Sequence, residues 1–459
     1  MMKPVLNIIS AFFVETLCIV SLLMMPTGKL SSQSLSLEAC KQMALQNNVA
    51  VKNARIDVEA AREVKSQAFT KYFPNVTAMA GGYYALKPLV EYGIEDVDNA
   101  ALRNWLQNLY FEYGAGLGFP NKLSFCENGI VVGATALQPV FMGGQIVNGN
   151  KLASVGIRAA ELQNELAQEQ VLRNIEENYW LVVSLYEKRK TLLQALTFLD
   201  TLHRDAENAS QAGLISRNDP LKVVIKQNEM RANLLKVDNG IALATMALCQ
   251  TIGINYSSDL ILSDTLDEKG VMGTAQRIQE PTNANQRKEA QLLQLNVNAE
   301  QLKKKMAIGE TLPHLMVGAS ASYGNLIFDD YSANGIAFAT LQVPLTNWWE
   351  TSHKIKQHNY AIQKAENEQS DLMGKMMLEM QQSWYGIQQA KAQLELMKSS
   401  LEDASANLQT ARVNYQAGLV PISDLLEAQT LYQQSQDQVI EALIDLQNQC
   451  SRHLVLMGE

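Results

Sequence analysis

The stretch YQAGLVPISDLLEAQ (Tyr415–Gln429) separates two long runs of helix-forming residues, and SQAGLISRNDPLKVV (Ser210–Val224) separates two others. Both stretches contain the same QAGL break. Glycine readily adopts the left-handed conformation that ends a helix, so Gly213 and Gly418 each predict a helix end. The pattern indicates helix pairs, each with a sharp turn between its two members.

Each break is followed by residues that start a new helix. Asp219 with Pro220 predicts an N-cap followed by a proline in the first turn. Asp424 and Glu427 are three residues apart, which is the spacing of a capping box. Each break is therefore predicted to be the tip of two antiparallel helices.

The chain is internally duplicated. The second break follows the first at an offset of 205, and the same offset continues without a gap over more than a hundred residues. Upstream the offset becomes 239, so the first half holds 34 additional residues. Each half reads helix, strand, strand, long helix, break, long helix. The matched pairs are Pro139 with Pro344, Tyr179-Trp180 with Trp384-Tyr385, Asp219 with Asp424, Gly253 with Gly458, and KYFPNV (71–76) with ETLPHL (310–315).

This duplication predicts four segments along the chain. Residues 1–32 are predicted to be a signal peptide, because Val5–Met25 is mostly apolar and follows Lys3; a retained membrane anchor is the alternative. Two repeats and a linker or equatorial segment follow. The first repeat is residues 33–255 with its tip at 213–219, the linker is 256–286, and the second repeat is 287–459 with its tip at 418–424.

The long helix before the second break has the pattern of a coiled coil. Residues at alternating steps of three and four are apolar over six heptads, with Ser383 as the one polar member. A helix from about Glu350 to Gln416 would be roughly 100 Å long. An elongated, mainly α-helical protein is therefore predicted. The seam positions are Met373, Met376, Met380, Ser383, Ile387, Ala390, Leu394, Met397, Leu401, Ala404, Leu408, Ala411 and Tyr415.

Four segments are predicted to be β-strands, at residues 74–84, 130–139, 313–323 and 334–344. The stretch HLMVGASASY (314–323) alternates between two faces, with the length and period of a membrane-spanning strand. Aromatic residues lie at both ends of these strands, as they do at membrane interfaces. They are Tyr72, Phe73, Phe141, Trp348 and Trp349 at one end, and Tyr83, Tyr84 and Tyr323 at the other.

These strands have two interpretations, a small soluble β-domain or part of a membrane barrel, and their matched lengths favour the barrel. Four strands cannot close a barrel, and an open edge in lipid leaves backbone groups without hydrogen bonds. The protein is therefore predicted to oligomerise. Two copies would give eight strands filled by side chains, and three would give twelve strands with room for a pore.

Composition and the scattered polar residues argue against several functions. A net charge of −9 and a pI near 5.3 argue against nucleic acid as a partner. The cysteines form no CxxC pair, and the five histidines form no set of metal ligands. No nucleophile, base and orienting group can be assembled. We therefore predict no metal, no cofactor and no enzyme activity.

Three motifs in this order, together with the duplication, resemble the TolC-like outer membrane efflux protein family. They are LSLEACKQMALQNN (35–48), LQPVFMGGQ (137–145) and the second tip. The likeness covers nearly all of the chain after the predicted signal. It implies the outer membrane factor of a tripartite efflux or type I secretion system in a Gram-negative bacterium.

The resemblance also implies an assembly and partners. A homotrimer would place a twelve-stranded barrel in the outer membrane lipid and a helical tunnel in the periplasm. The tunnel would dock to a periplasmic adaptor (membrane fusion) protein and an inner-membrane pump of the RND or ABC type. The cargo is not identified by the sequence.

Candidate gate residues lie at the second tip. In such a trimer, rings of Asp424 and Glu427 at the periplasmic mouth would favour cations, and helix capping is their alternative role. The resemblance also implies gate contacts at Asp219 and Tyr415. Tyr415 completes the heptad seam, so core packing is its alternative role.

The tips are also the predicted contacts to the adaptor. Apolar residues at exposed turns are explained by burial against a partner helix, with packing between the tips as the alternative. Relatives carry a basic gate residue two positions after the tip glycine, where this chain has Val420; Arg217 or Arg412 would have to replace it. The predicted contact residues are Gly213, Leu214, Ile215, Gly418, Leu419 and Val420.

The additional residues of the first half are rich in aromatic side chains. They form either a surface loop that narrows the outer mouth or meets an external ligand, or a divergent loop without function. The alternative functions of the whole chain are a periplasmic coiled-coil adaptor and a coiled-coil scaffold. Two hairpins without a lipoyl-like domain disfavour the first, and paired strands disfavour the second. The aromatic residues are Trp105, Tyr110, Phe111, Tyr113 and Phe119.

Overall fold

Two very long helices dominate the computed structural model, which describes residues 34–87, 90–114, 122–125, 128–257, 260–325 and 331–458. The predicted signal peptide and Phe119 lie outside the described residues. In chain order the elements are β1 (Ser34–Leu35), α1 (Leu37–Asn47), α2 (Val49–Thr70), β2 (Asn75–Tyr84), β3 (Val90–Gly93), α3 (Ala100–Leu109), β4 (Lys122–Phe125), β5 (Asn128–Met142), α4 (Gln145–Gln211), α5 (Asn218–Ile252), β6 (Ile261–Leu262), α6 (Glu268–Arg277), α7 (Lys288–Gly309), β7 (His314–Gly324), β8 (Ser332–Gln342), α8 (Asn347–Gln416) and α9 (Ile422–Met457).

The predicted long helices are confirmed. The helix α4 has 67 residues and α8 has 70, so each is about 100 Å long at 1.5 Å per residue. Every position of the predicted seam from Met373 to Tyr415 is buried or half-buried. The alternating three and four spacing therefore decides which face of α8 packs. Within the described ranges, no helix is both long and apolar enough to cross a membrane.

The helices form a single layer that is four helices wide at two levels. Next to the strands the order is α2, α4, α7, α8, and at the far level it is α5, α4, α9, α8. The layer has two edges, one formed by α2 and α5 and the other by α8. Both edges expose large apolar side chains, such as Ile225 and Leu235 on α5 and Leu378 and Tyr385 on α8.

The four long strands form one antiparallel sheet in the order β2, β5, β7, β8. The strand β5 connects the two repeats because it pairs with both β2 and β7. Its register with β7 shifts between Pro139 and Phe141, where proline cannot donate to the ladder. In the part of the chain that the structure describes, the edge strands β2 and β8 each pair on one side only. All four strands overlap the predicted ranges, and β5 extends beyond its range at both ends.

A strap crosses one face of the helix layer. It consists of α1, α6 and the parallel pair of β1 and β6. Residues of α1 pack with Ile175 and Tyr179 of α4 in one buried apolar cluster. Residues of α6 pack with Ile387 and Leu394 of α8 in another. The strap therefore covers both long helices at mid-length, on one side of the layer.

Tyr179 fastens the strap to the layer. Its buried hydroxyl lies 3.0 Å from both the Leu35 carbonyl and the Asp264 carboxylate. The same carboxylate accepts a 2.8 Å hydrogen bond from the Leu37 backbone N–H. Burial raises the pKa of the Tyr179 phenol, so the hydroxyl stays available as a donor.

The additional segment of the first half contains regular structure, which differs from the loop that the sequence predicted. Strands β3 and β4 pair antiparallel, and α3 lies between them in the chain. Asn99 caps α3 by accepting from the N–H groups of Ala101 and Leu102. The short apolar face of α3 exposes Trp105. Sequence reasoning missed this helix because its aromatic and glycine-rich surroundings resemble an irregular loop.

Candidate functional site

Both hairpin tips end their first helix with the same hydrogen-bonded turn. The Leu419 N–H donates to the Asn414 carbonyl (2.9 Å) and the Gly418 N–H donates to the Tyr415 carbonyl (3.0 Å). This pair of bonds requires a left-handed residue after the helix, and Gly418 has a φ of +74°. At the first tip Gly213 has the same φ, and the bonds run from Leu214 to Ala209 and from Gly213 to Ser210. The predicted role of both glycines as helix ends is confirmed.

The predicted N-cap at Asp219 is wrong. The helix α5 begins at Asn218, so Asp219 lies inside the first turn, and Pro220 follows it there as predicted. The Asp219 carboxylate lies 3.0 Å from Lys222 Nζ instead of capping the backbone. Ser216 accepts from the Asn218 N–H at 3.3 Å, so the serine supplies the side-chain bond that was assigned to the aspartate.

The predicted capping box of Asp424 and Glu427 is also wrong. The helix α9 begins at Ile422 after Pro421 and has no side-chain cap, so Asp424 is its third residue. It begins early because Ile422 is buried beneath the tip, which draws the first turn into the core. Both carboxylates are exposed at the start of α9. They are free of the capping role, and negative charge there interacts favourably with the helix dipole.

A buried apolar cluster beneath the tips joins the two hairpins. The half-buried Ile215 and Tyr415 pack against it, so their alternative role, packing within the chain, holds. In contrast, Leu214 is 78% exposed and Leu419 is 74% exposed. The predicted contact set is thus divided, with two leucines facing solvent and Val420 half-buried. The buried members of the cluster are Leu192, Leu199, Leu202, Ala206, Val223, Met230, Ile422, Leu425 and Leu426.

Asp219 and Tyr415 come close together at the tips. Burial raises the pKa of the Tyr415 phenol, and the charges of Asp219 and Asp205 raise it further. The phenol is therefore neutral and keeps its proton, and both carboxylates lie near enough for their charges to act on it. Sequence reasoning missed Asp205, although its position next to the buried Ala206 on α4 could have revealed it. The proposed basic substitutes Arg217 and Arg412 are both exposed.

A polar layer between α4 and α9 was also missed. Gln433 donates to Thr191 Oγ1 at 2.9 Å, and Lys188 Nζ lies 2.5 Å from Glu441 Oε1. Burial raises the pKa of Asp437, and the nearby Lys188 charge opposes this shift. The spacing of Gln433, Asp437 and Glu441 by four residues is the signal that could have revealed this polar stripe. The layer ties the first hairpin to the second above the apolar cluster.

The pairing register gives the sheet two different faces, because directly paired residues point to the same side. On β7 the exposed residues are Val317, Ala319, Ala321 and Tyr323, and the residues between them are half-buried. Across residues 76–84, 130–138, 315–323 and 333–341, the face with Val317 is apolar or small except for Gln138. The opposite face carries the polar residues Thr77, Thr135, Ser320, Ser322, Asn334 and Thr340.

An exposed apolar sheet face, joined to a duplicated layer of helices about 100 Å long, is the architecture expected of a membrane channel protein. A family model described as "Outer membrane efflux protein" matches residues 41–254 and 282–457. The chain belongs to this outer membrane efflux protein family, which confirms the family predicted from the motifs. The family and its structural neighbours are channels and not enzymes.

Solved structures share the fold at low sequence identity. The outer membrane protein VceC from Vibrio cholerae aligns with a TM-score of 0.71 at 16% identity, over 92% of this chain and 96% of VceC. The Campylobacter jejuni CmeC outer membrane channel aligns with a TM-score of 0.70 at 15% identity, over 92% and 85%. The open state of the Neisseria gonorrhoeae MtrE outer membrane channel aligns with a TM-score of 0.70 at 13% identity, over 92% of this chain and 88% of MtrE. No curated protein sequence matches this chain.

Proposed function

We propose that three copies of the chain form the exit duct of an efflux system in the outer membrane. Their sheets would join into a twelve-stranded barrel, and their helix layers would join into a tunnel through the periplasm. Residues 33–255 and 287–459 would be the two repeats of each subunit, with 256–286 as the equatorial segment. The duct is passive, so transport would be driven by an inner-membrane pump of the RND or ABC type.

The observation that carries this proposal is the exposed apolar face of an open sheet. A strand of 11 residues such as β7 is about 36 Å long and spans about 25 Å at a 45° tilt, which is the height of an outer membrane band. Lipid would cover the apolar face, and the face with Thr135 and Ser320 would line the pore. Lipid provides no partners for the free edges of β2 and β8, so neighbouring copies must supply them.

The helix layer supports the same closure. The edge formed by α2 and α5 continues the side of the sheet where β2 lies, and the α8 edge continues the side of β8. Joining the β2 side of one copy to the β8 side of the next therefore closes both sheet and helices with a single contact. The apolar side chains exposed on these edges would be buried in that contact.

The periplasmic mouth would be formed by the second tips. Asp424 and Glu427 are exposed on the first turns of α9, and three copies of each would form rings that favour cations. Asp219 and Tyr415 would contribute to the gate through their proximity at the tip.

The adaptor would dock on the tips. Leu214 and Leu419 are exposed at equivalent turns of the two repeats, so a trimer would present six apolar points around one end. An adaptor helix with an apolar face would bury them. Gly213 and Gly418 would shape these turns, and Ile215 and Val420 would support them from the half-buried side.

Cysteine crosslinking between copies tests the assembly. We would place one cysteine at Thr77 on β2 and a second at successive positions of β8, and oxidise membranes that contain the full chain. Covalent dimers and trimers are expected at some β8 positions, with outer membrane fractionation and heat-modifiable migration. Recovery of the chain as a water-soluble monomer would overturn the proposal.

Crosslinking to the adaptor tests the docking surface. A cysteine at Leu214 or Leu419 should crosslink to a co-expressed adaptor, whereas one at Leu396, which is exposed on α8 far from the tips, should not. Products formed only within the trimer would show that the tips pack against one another and not against an adaptor.

A further inference from the structure

A large apolar recess lies in the helix layer directly below the sheet. It has a volume of about 1360 Å³ and runs over α4 between α2 and α7. Its strand end is formed by Leu137 and Met316. This volume exceeds the roughly 300–1,000 Å³ of most small-molecule sites. The recess follows the middle helix of the layer and not an edge, so a neighbouring copy joined at the edges would leave it open.

Two observations place the recess on the pore side of the proposed duct, on which this inference rests. Leu137 and Met316 share the sheet face that carries Thr135 and Ser320, which is the face assigned to the pore. Ile175 and Tyr179 of α4 face the strap. Two heptads earlier, the same face of α4 carries Glu161 and Glu165, and these residues line a separate groove and not the recess. The recess therefore opens on the side of the layer opposite the strap.

The recess owes its depth to glycine residues of α4. A Cβ added at Gly156 would meet no atom within 4 Å, and one at Gly149 would meet only Met306 Cε at 3.7 Å. Both residues line the recess together with Leu152, Leu292 and Leu295. The floor is thus apolar and unfilled by side chains, although larger residues would fit the helix geometry.

The charges around this apolar floor are positive. Lys71 and Lys303 are the charged residues among the described lining. Lys65 adds a third ammonium group, since its Nζ donates to the carbonyl of the lining residue Asn150 at 2.7 Å. Among the described residues, the one carboxylate paired with any of these three lysines is Glu300, which lies 2.7 Å from Lys303 Nζ. This local excess of positive charge contrasts with the net charge of −9 of the chain.

We propose that the recess binds an amphiphile with an acidic headgroup as it passes through the duct. The apolar body would cover the floor at Gly156, and the headgroup would lie near Lys71 and Lys303. Asn150 belongs to the wall and is held in place there, since its amide nitrogen donates to the Ala68 and Ile146 carbonyls at 2.8 Å and 3.0 Å. The recess would raise the local concentration of such molecules at the base of the barrel.

The test uses the full chain as a purified trimer in lipid nanodiscs. Two fluorescent probes share an aromatic skeleton and differ in charge: anionic 8-anilinonaphthalene-1-sulfonate and neutral N-phenyl-1-naphthylamine. Gly156→Leu fills the floor, and Gly374→Leu is the matched control, since it is another helical glycine whose added Cβ meets no atom within 4 Å. Lys71→Gln combined with Lys303→Gln removes the positive charges.

Gly156→Leu is expected to lower the affinity for both probes at least about tenfold relative to Gly374→Leu, because it removes the apolar site. The double lysine variant is expected to lower the affinity for the anionic probe roughly five- to tenfold and to change the affinity for the neutral probe less than about twofold. If the Gly156→Leu trimer does not assemble, the lysine variant alone decides.

Equal binding to Gly156→Leu and Gly374→Leu would overturn the site. Loss of both probes by the same factor in the lysine variant would overturn the acidic class. Conductance in planar bilayers separates these outcomes from failure of the duct itself. If wild-type trimers conduct ions but Gly156→Leu and Gly374→Leu bind the probes equally, only the recess is rejected. If the wild-type protein forms no trimer and no pore, the proposed function is rejected.

Discussion

Replacing Gly418 by alanine tests whether the backbone of the tip, and not its side chains, ends α8. The φ of Gly418 is +74°, and an added Cβ would meet no atom within 4 Å. The methyl group therefore adds no clash, and its cost is the left-handed strain of about 1–2 kcal/mol for a residue with a side chain. That cost corresponds to a change of roughly five- to thirtyfold in the equilibrium for local opening.

Hydrogen exchange of the tip peptide measures this opening. The N–H groups of residue 418 and Leu419 donate to the last turn of α8, so their exchange reports directly on the turn. We expect exchange in Gly418→Ala to be roughly tenfold faster, and Gly213→Ala should act likewise at the first tip. Gly418→Asn should recover part of the loss, because asparagine tolerates the left-handed region.

Gly374→Ala provides a control with the opposite sign. Gly374 lies inside α8, also in open space, so alanine there should stabilise the helix by up to about 1 kcal/mol. In Gly374→Ala, amide hydrogen exchange of α8 around residue 374 should slow or stay unchanged. Unchanged exchange at the tip in folded Gly418→Ala protein would refute the argument that the left-handed glycine determines the hairpin.

Three further predictions concern charges and the strap. Asp424→Asn with Glu427→Gln should shift the reversal potential of the pore in a salt gradient toward lower cation preference; an unchanged potential would place both carboxylates outside the pore. Burial raises the pKa of Asp437 in the folded chain, so its ionised form lowers the free energy of unfolding at pH values above the raised pKa, and this loss fades as pH falls from there into the ordinary carboxyl range; Asp437→Asn should therefore raise the unfolding temperature at pH 7 but not near pH 4. Tyr179→Phe should cost about 1–2 kcal/mol, because the Leu35 carbonyl and the Asp264 carboxylate both lose the bond from the phenol, while the Leu37 N–H still donates to Asp264; the loss should appear as faster proteolysis of the strap, and equal proteolysis would argue against the tie.

The sequence predicted the regular parts of the fold because they follow simple periods. The seam from Met373 to Tyr415 repeats every seven residues, and β7 repeats every two, so each pattern identifies the buried or exposed face. The tip glycines were equally predictable, since few residues other than glycine adopt a φ of +74°. These features depend on neighbours that are close in the chain.

Features that depend on distant contacts were missed or assigned wrongly. The start of α9 is set by burial of Ile422 against the other hairpin, so the local capping signal at Asp424 misled the prediction. Asp264 meets Tyr179 across 85 residues, and Gln433 meets Thr191 across 242. No sequence period links such pairs. The recess was also invisible, because it is defined by the space left over Gly156 when three helices pack.

The duplication explains why equivalent residues of the two repeats have different surroundings. The helix α4 lies inside the layer with neighbours on both sides, whereas α8 lies at an edge. Tyr179 is accordingly buried under the strap, whereas its equivalent Trp384 is half-buried; likewise Trp180 is half-buried, whereas its equivalent Tyr385 is exposed. Leu378, Tyr385 and Val413 are exposed on α8 and are separated by multiples of seven, in a register different from that of the buried seam. The helices α9 and α7 pack on the buried seam, so under the proposed assembly we expect this second register to be where α8 meets another copy.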